Sequence, residues 1–313
     1  MSRPLKILAV MDPYEGYNWH KDTSHLLLKN LFERDHHLFY TTPAQLFIKN
    51  GAVVANGRAI MVQDGFPYFT FDDEALLPLN EFRLILMRKD PPVNTLYRQA
   101  THLLSLVQEQ TWVINRPSSL MSFNEKLSIF HFAPWIPRTT VTSRPEEIAL
   151  FLQQAGGIGV LKDLNSYASK GVRKISLSDP DLNIIIDRET ANGKKVVMVQ
   201  EFLPVHEGEK RVFIVDGKMA GAIRRRPPEG SFLTDPDRGG VVTATSLTPR
   251  EEQICQKVGH FFSRRGVFFA GLDLIDEKLT DINITSPGLL CEWNETDGES
   301  HEKEIIDLLE SKL

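Results

Sequence analysis

The chain has 313 residues, a formal charge of −5, 25% charged and 42% hydrophobic side chains, which suits a globular protein too long for one small core. That balance excludes a general nucleic-acid binder, and a total of two cysteines, Cys255 and Cys291, excludes a disulfide framework or a Cys-based zinc site. No apolar segment is long enough for a signal peptide or a membrane span, so a cytoplasmic protein is the expectation.

Lys6 to Met11 reads as a buried strand stopped at Asp12-Pro13, and the leucines at 26, 27, 28 and 31 with Phe32 follow as a helix. Leu38-Phe39-Tyr40 is a second strand, so the chain opens as β-α-β. Asn50-Gly51 and Asn56-Gly57 both read as tight turns. Leu84 to Met87 is a further buried strand, ended by Arg88-Lys89-Asp90-Pro91-Pro92. A helix over about 94–108 and the strand Trp112-Val113-Ile114 complete an open α/β unit. Ligands of such sheets lie beyond the carboxyl ends of strands, where Asp12 and the Arg88-Lys89-Asp90 cluster fall.

After Arg116-Pro117, Ser122-x-x-Glu125 has the spacing of a capping box for a helix through Phe132, with Lys126 in its first turn. Ser143-x-x-Glu146 has the same spacing before a helix that stops at Gly156-Gly157. The strand from Ile158 to Lys162 leads into a loop of small residues, Ser166, Ala168, Ser169 and Gly171, before the strand Val172 to Ser176. Backbone N–H groups of such a loop can approach an anion. Val196 to Leu203 is a strand carrying Gln200-Glu201, and Glu209 to Val215 is another, turning at Asp216-Gly217. The strand after it ends in Arg224-Arg225-Arg226. Residues 231–240 form a polar loop and the expected mobile segment. Thr248-Pro249-x-Glu251 starts a helix with Ile254, Val258, Phe261 and Phe262 on one side, where Cys255 is a buried filler. A final helix spans roughly 301–312.

The stretch Gly271 to Pro287 holds the chemistry. Two apolar runs flank Asp276-Glu277-Lys278 and predict a β-hairpin, which puts Asp281 and Asn283 on one face and Ile282 and Ile284 on the other. With Asp273 on the incoming strand, two carboxylates and an amide oxygen suit a hard cation such as Mg²⁺. Taken singly, Lys126, Lys162, Arg224 to Arg226 and the Arg88-Lys89-Asp90 cluster read as ordinary surface charges, and the histidines as structural or surface residues. Together, lysines and arginines beside an acidic hairpin are what phosphoryl transfer needs.

The runs Met11-Asp12-Pro13, Lys21-Asp22-Thr23-Ser24, Met87-Arg88-Lys89-Asp90-Pro91-Pro92, Asn124-Glu125-Lys126-Leu127, Lys210-Arg211-Val212 and the hairpin lie in one register. In that register the sequence resembles the ATP-grasp superfamily and, within it, the bacterial glutathione synthetases. The resemblance implies an ATP-grasp fold with an N-terminal open α/β domain, divided as residues 1–118, a lid subdomain 119–203 and a C-terminal subdomain 204–313. It implies a cytoplasmic ligase that phosphorylates the carboxylate of a γ-glutamylcysteine-like peptide with ATP and joins it to a glycine-like amine. Mg²⁺ is the implied metal, with Mn²⁺ as a substitute. Carried over by position, Lys126, Lys162 and Ser169 face ATP phosphates, Gln200, Glu201, Phe202 and Leu203 touch adenine, and Glu209 holds the ribose. Asp273, Asp281 and Asn283 become the metal ligands, and Arg211 and Arg225 steady the transferred phosphoryl group. Asp12, Arg88, Lys89, Asp90 and Ser286 become substrate contacts. Family members often form homo-oligomers.

The chain also departs from the family pattern. Ser166, Ala168 and Ser169 replace glycines of the phosphate loop. Leu233-Thr234-Asp235 replaces an arginine, a small residue and an asparagine. Cys291 stands for an arginine, and Asp281 for a glutamate. A ligase for a different substrate pair and a non-catalytic ATP-binding homologue are the alternative readings.

Overall fold

The computed structural model describes residues 3–15, 18–167 and 169–313, so Ala168 of the small-residue loop lies outside the described residues. The chain opens as β1 (Lys6–Val10), α1 (Thr23–Glu33) and β2 (His37–Thr41). Asp22 caps α1, its Oδ1 accepting from the His25 N–H at 2.9 Å. Next come β3 (Leu46–Lys49), β4 (Ala52–Val62), β5 (Phe69–Phe71), β6 (Ala75–Pro78), β7 (Leu84–Met87), α2 (Thr95–Ser105) and β8 (Trp112–Ile114).

Asn50 and Gly51 take left-handed φ values of 51° and 81° and turn β3 into β4 as expected. Asn56-Gly57 is not a turn but the middle of β4, a correction with a steric cause. A Cβ at Gly57 would stand 2.6 Å from Leu77 Cδ1 and 2.7 Å from the Tyr40 carbonyl oxygen, so glycine serves the crossing of neighbouring strands. The sheet runs β3-β4-β2-β1-β7-β8, with β1, β2, β7 and β8 parallel. All four residues of β7 are buried, which is why that strand reads as an unbroken apolar run. The chain leaves β1 for β2 on one side and returns to β7 on the other. The carboxyl ends of β1 and β7 therefore form the switch-point crevice where ligands of open α/β sheets bind.

A second sheet, ordered β11-β10-β12-β9, is antiparallel throughout. Its parts are α3 (Pro117–Ser122), β9 (Thr139–Thr142), α4 (Pro145–Gln154), β10 (Ile158–Asp163), β11 (Val172–Ser176), α5 (Leu182–Glu189) and β12 (Val197–Glu201). Neither expected capping box forms at its start. Ser122 ends α3, and the helical stretch after it, Leu127–Trp135, is a kinked 3₁₀ segment entered through the Asn124 side chain, which accepts from the N–H groups of Lys126 and Leu127. At α4, Pro145 occupies the first turn, and Arg144 stands at the cap with no side-chain bond. α3, α5 and β9 lie outside the expected elements; β9 is four half-buried residues without alternation.

The third sheet runs β15-β14-β13-β16-β17. It comprises β13 (Glu209–Val215), β14 (Lys218–Arg226), β15 (Val241–Ala244), β16 (Phe269–Ile275) and β17 (Lys278–Asn283), with α6 (Pro249–Ser263), α7 (Leu290–Asp297) and α8 (His301–Glu310) around it. The capping box at Thr248 and Glu251 is present on α6. Ile254, Cys255, Val258 and Phe262 of α6 share one core with Val212, Leu272, Leu279 and Ile282, so one face of this sheet is apolar and covered by that helix. The other face carries the polar ladder described below. Asn115 joins this sheet to the first. Its Nδ2 donates to the carbonyls of Phe269 and Ile284, both at 2.7 Å, and its Oδ1 accepts from the N–H groups of Phe268 (2.8 Å) and Phe269 (3.0 Å).

Candidate active site

The three sheets enclose a cleft of about 890 Å³. Its floor is set by strand register. Arg211 on β13 pairs with Asp273 on β16, and Asp273 with Asp281 on β17. Side chains of paired residues share a face, so a guanidinium and two carboxylates line up across three strands. Asn283, two residues beyond Asp281, joins that face, while Ile282 and Ile284 are fully buried on the opposite one. Glu209 pairs likewise with Arg225 on β14.

Asp273 is the centre of a charged network. Arg211 grips it with two bonds, Nε to Oδ1 at 2.7 Å and Nη2 to Oδ2 at 3.0 Å. Arg225 Nη2 donates to Asp273 Oδ1 at 2.9 Å and to Glu209 Oε2 at 2.8 Å, and Asn283 Nδ2 donates to Asp273 Oδ2 at 3.2 Å. Burial alone would raise the Asp273 carboxyl pKa, but the two arginines and the Asn283 bond outweigh it and hold the group at about 2. Thr234 Oγ1 donates to the same Glu209 oxygen, which ties the 231–240 loop to the floor. That loop also contains a 3₁₀ turn at Pro236–Arg238, capped by Asp235.

Two lysines face the carboxylates from across the cleft. Lys126 Nζ donates to the Ser166 carbonyl at 2.6 Å and lies 4.0 Å from Asp281 Oδ2, and Lys162 Nζ donates to the Thr280 carbonyl at 3.1 Å. Burial first, and then the like charge of Lys126, lowers the Lys162 pKa against the pull of Asp281, Glu209 and Asp273. In the loop between β10 and β11, Ser169 adopts a φ of 54°, the left-handed geometry that a glycine takes without strain. Gly171 stays glycine for a reason: with a φ of 69°, a Cβ there would meet Asp163 Cβ at 3.0 Å and Ser166 Cβ at 3.1 Å.

The residues expected at ATP, Lys126, Lys162, Ser169, Gln200, Glu201, Phe202, Leu203 and Glu209, all line this one cleft, as do Arg211 and Arg225. So do Asp273, Asp281 and Asn283. Their donor set fits a hard cation: two carboxylates and an amide whose nitrogen is turned to Asp273, leaving its oxygen as an acceptor. Of the expected substrate contacts, Arg88, Asp90 and Ser286 line the cleft. Asp12 and Lys89 are instead engaged with each other at 2.8 Å, and Asp12 Oδ2 accepts from the Asp90 N–H at 2.9 Å, so this pair braces the switch-point turn. Arg88 is buried and donates to Ser24 Oγ and to the Pro287 carbonyl, both at 3.0 Å, which joins the first sheet to the segment after β17.

Asp22, Glu125, Thr234 and Glu292 also line the cleft, though none is an expected site residue. Glu125 Oε1 accepts from the N–H groups of Ile284 (2.8 Å) and Thr285 (3.0 Å) and from Thr285 Oγ1 (2.9 Å), which fixes the segment that follows β17. Asp22 and Glu125 sit in the Lys21–Ser24 and Asn124–Leu127 runs that carry the family resemblance, so a signal is there. Glu292 had none beyond being a charge among apolar neighbours.

Comparison with known proteins agrees with this architecture. Residues 5–121 match the model of the prokaryotic glutathione synthetase N-terminal domain, and residues 125–298 that of the prokaryotic glutathione synthetase ATP-grasp domain. The chain is 36% identical over 287 residues to a glutathione synthetase of Coxiella burnetii, covering 90% of this chain and 89% of that one. It is 35% identical over 313 residues to a glutathione synthetase of Shewanella oneidensis, covering 99% of each. Among solved structures, D-cycloserine synthetase DcsG superposes with a TM-score of 0.67 at 15% identity over 97% of this chain and 99% of the other. The ATP-grasp ligase PsnB in complex with its minimal precursor gives 0.62 at 16% identity over 99% of each chain. At such identities these two likenesses speak for the ATP-grasp fold alone.

Proposed function

The chain belongs to the prokaryotic glutathione synthetase family and is an ATP-dependent carbon–nitrogen ligase of that type; from that premise we propose that it joins the carboxylate of γ-glutamylcysteine to the amine of glycine, through residues of the described cleft. The observation that carries this is the convergence of Arg211, Arg225, Lys126 and Lys162 on the Asp273, Asp281 and Asn283 ladder. Residues 1–118 hold the peptide, 119–203 close over the nucleotide, and 204–313 carry the metal-facing hairpin.

In this reading Gln200, Glu201, Phe202 and Leu203 receive adenine, Glu209 the ribose, and Lys126, Lys162 and Ser169 the phosphates. Asp273, Asp281 and Asn283 hold Mg²⁺, which when bound neutralises charge on the phosphate oxygens. Arg88 and Asp90 at the switch point, together with Ser286, hold the peptide. Arg211 and Arg225 grip the oxygens of the γ-phosphoryl group as it passes from ATP to the peptide carboxylate. The carbonyl carbon of the acyl phosphate so formed is attacked by the neutral amine, the C–O bond to phosphate breaks, and phosphate leaves with the proton that the new amide nitrogen sheds. The 231–240 loop keeps water from that intermediate.

A coupled assay of ADP and phosphate with ATP, Mg²⁺, γ-glutamylcysteine and glycine tests the substrate pair. The expected result is stoichiometric ADP, phosphate and tripeptide. Turnover with other dipeptides or amines and not with this pair would overturn the assignment. Protein that has no preference for Mg²⁺ would overturn the metal.

A further inference from the structure

Glu292 lies on the first turn of α7 and lines the cleft, yet it is only 7% exposed, and its Oε2 has no hydrogen-bond partner among the described residues. A buried carboxylate oxygen left unpaired is unfavourable, and a cationic ligand would relieve it. Its position is fixed on both sides. The Leu290 N–H donates to Thr23 Oγ1 at 3.2 Å, and Trp293 stacks at 4.5 Å on Phe213 and at 3.6 Å on His301. That first bond brings the start of α7 against the start of α1, where Asp22 lines the same cleft. Cys291, between the two anchors, is a buried thiol whose pKa burial pushes up to about 12, so this position stays neutral. The charges facing Glu292 are Lys21 from the turn before α1, Asp237 from the 231–240 loop and Glu295 from its own helix. The charge of the Arg88 guanidinium is in turn felt at Asp22.

Resting on the ligase reading above, we infer that Glu292, with Asp22 lining the same cleft, forms a subsite for a substrate ammonium group. Two groups of that chemistry reach the cleft: the α-ammonium of the γ-glutamyl end and the ammonium of the incoming amine. The nearness of Asp22 to Arg88 favours the former, because carboxylates lining a cleft that also holds a guanidinium match both charges of a free amino-acid end.

The test measures KM and kcat for wild type, Glu292→Gln and Asp22→Asn. The donors are γ-glutamylcysteine and glutarylcysteine, the same peptide without its α-amino group, and glycine is varied separately. Glu292→Gln should raise the KM for γ-glutamylcysteine roughly ten- to a hundredfold, the loss expected for a charge-assisted bond, and leave that for glutarylcysteine unchanged. If the KM for glycine rises instead and both donors are unaffected, the subsite stands with the acceptor as its ligand. Unchanged KM values for all three substrates would overturn it, whatever the melting temperature does. Asp22→Asn keeps the cap of α1 and supplies the same comparison if Glu292→Gln fails to fold. Wild-type protein inactive with both donors would overturn the ligase reading and this inference with it, an outcome distinct from an active wild type with an insensitive variant.

Discussion

At Asp273 two guanidinium groups and an amide converge on one buried carboxylate, and its neighbours Asp281 and Asn283 are held much more lightly. Asp281 Oδ1 accepts only from the adjacent Ile282 N–H, at 3.0 Å, among the bonds found for it. The three residues should therefore separate by experiment. Asp281→Asn and Asn283→Ala should remove Mg²⁺-dependent turnover at least a hundredfold and shift the melting temperature little, as loss of a charge-neutralising metal at phosphate implies. Asp273→Asn should also unfold the protein more easily, by about 3–5 kcal/mol, because it leaves Arg211 with an uncompensated buried charge while Arg225 keeps only Glu209. Steady-state rates beside thermal melts decide this. Full activity in Asp281→Asn and Asn283→Ala would remove the metal assignment, and an unshifted melt for Asp273→Asn would mean that the arginines find other partners.

Between elements, the joints are made by single polar side chains. Glu201 at the end of β12 accepts from Lys278 of β17 at 2.7 Å and from Arg138 Nε at 2.8 Å, tying the second sheet to the third. Desolvation opposes ionisation there, but the bonds from Lys278 and Arg138 win and bring its pKa down to about 2 from 4.5. A depressed carboxyl pKa contributes stability that is present above pH 4.5 and lost as pH falls toward 2. Glu201→Gln should accordingly flatten the acid limb of a stability-against-pH curve between those values while leaving its neutral region lower; an unchanged acid limb would show that the clasp does not hold in solution. Asn115 is the stronger joint, with both donors and its oxygen satisfied by backbone of the third sheet and the segment after β17. Asn115→Ala should cost on the order of 2–4 kcal/mol, several buried backbone groups being left unpaired. A urea melt within 0.5 kcal/mol of wild type, about the size of an ordinary surface substitution, would say that water replaces it.

For the molecule as a whole, the proposed mechanism makes the 231–240 loop the element that would protect the acyl phosphate. Thr234 latches it to Glu209, the residue assigned to ribose, so nucleotide and latch compete for one carboxylate. ATP with peptide should protect the loop from protease, and neither alone should do so. Leu233 and Asp235 stand where the family resemblance implies an arginine and an asparagine, so phosphate release without glycine should be measurable. Tight coupling, with no ATP hydrolysed until glycine is added, would show that these two positions do not matter at that step. A loop cut equally under all conditions would not be a lid.

By itself the sequence determined the strands whose apolar runs are continuous, such as Leu84–Met87, and the hairpin whose alternation fixes which side Asp281 and Asn283 share. Both follow from local periodicity, which needs no partner to be read. It also carried the ligase family in runs of residues that keep one register from Met11 to Pro287. What it did not contain was the use of side chains across distance. Glu125 has the spacing of a helix cap yet spends its carboxylate on Ile284 and Thr285, 159 and 160 residues away. Gly57 has the look of a turn yet serves a strand crossing, and Lys89, at the end of one strand, also braces Asp12 at the end of another. Glu292 was invisible until α7 was seated against α1. The physical reason is common to all four: a polar or small residue is placed by whichever partner tertiary packing brings within about 3 Å, and sequence separation sets no limit on that partner.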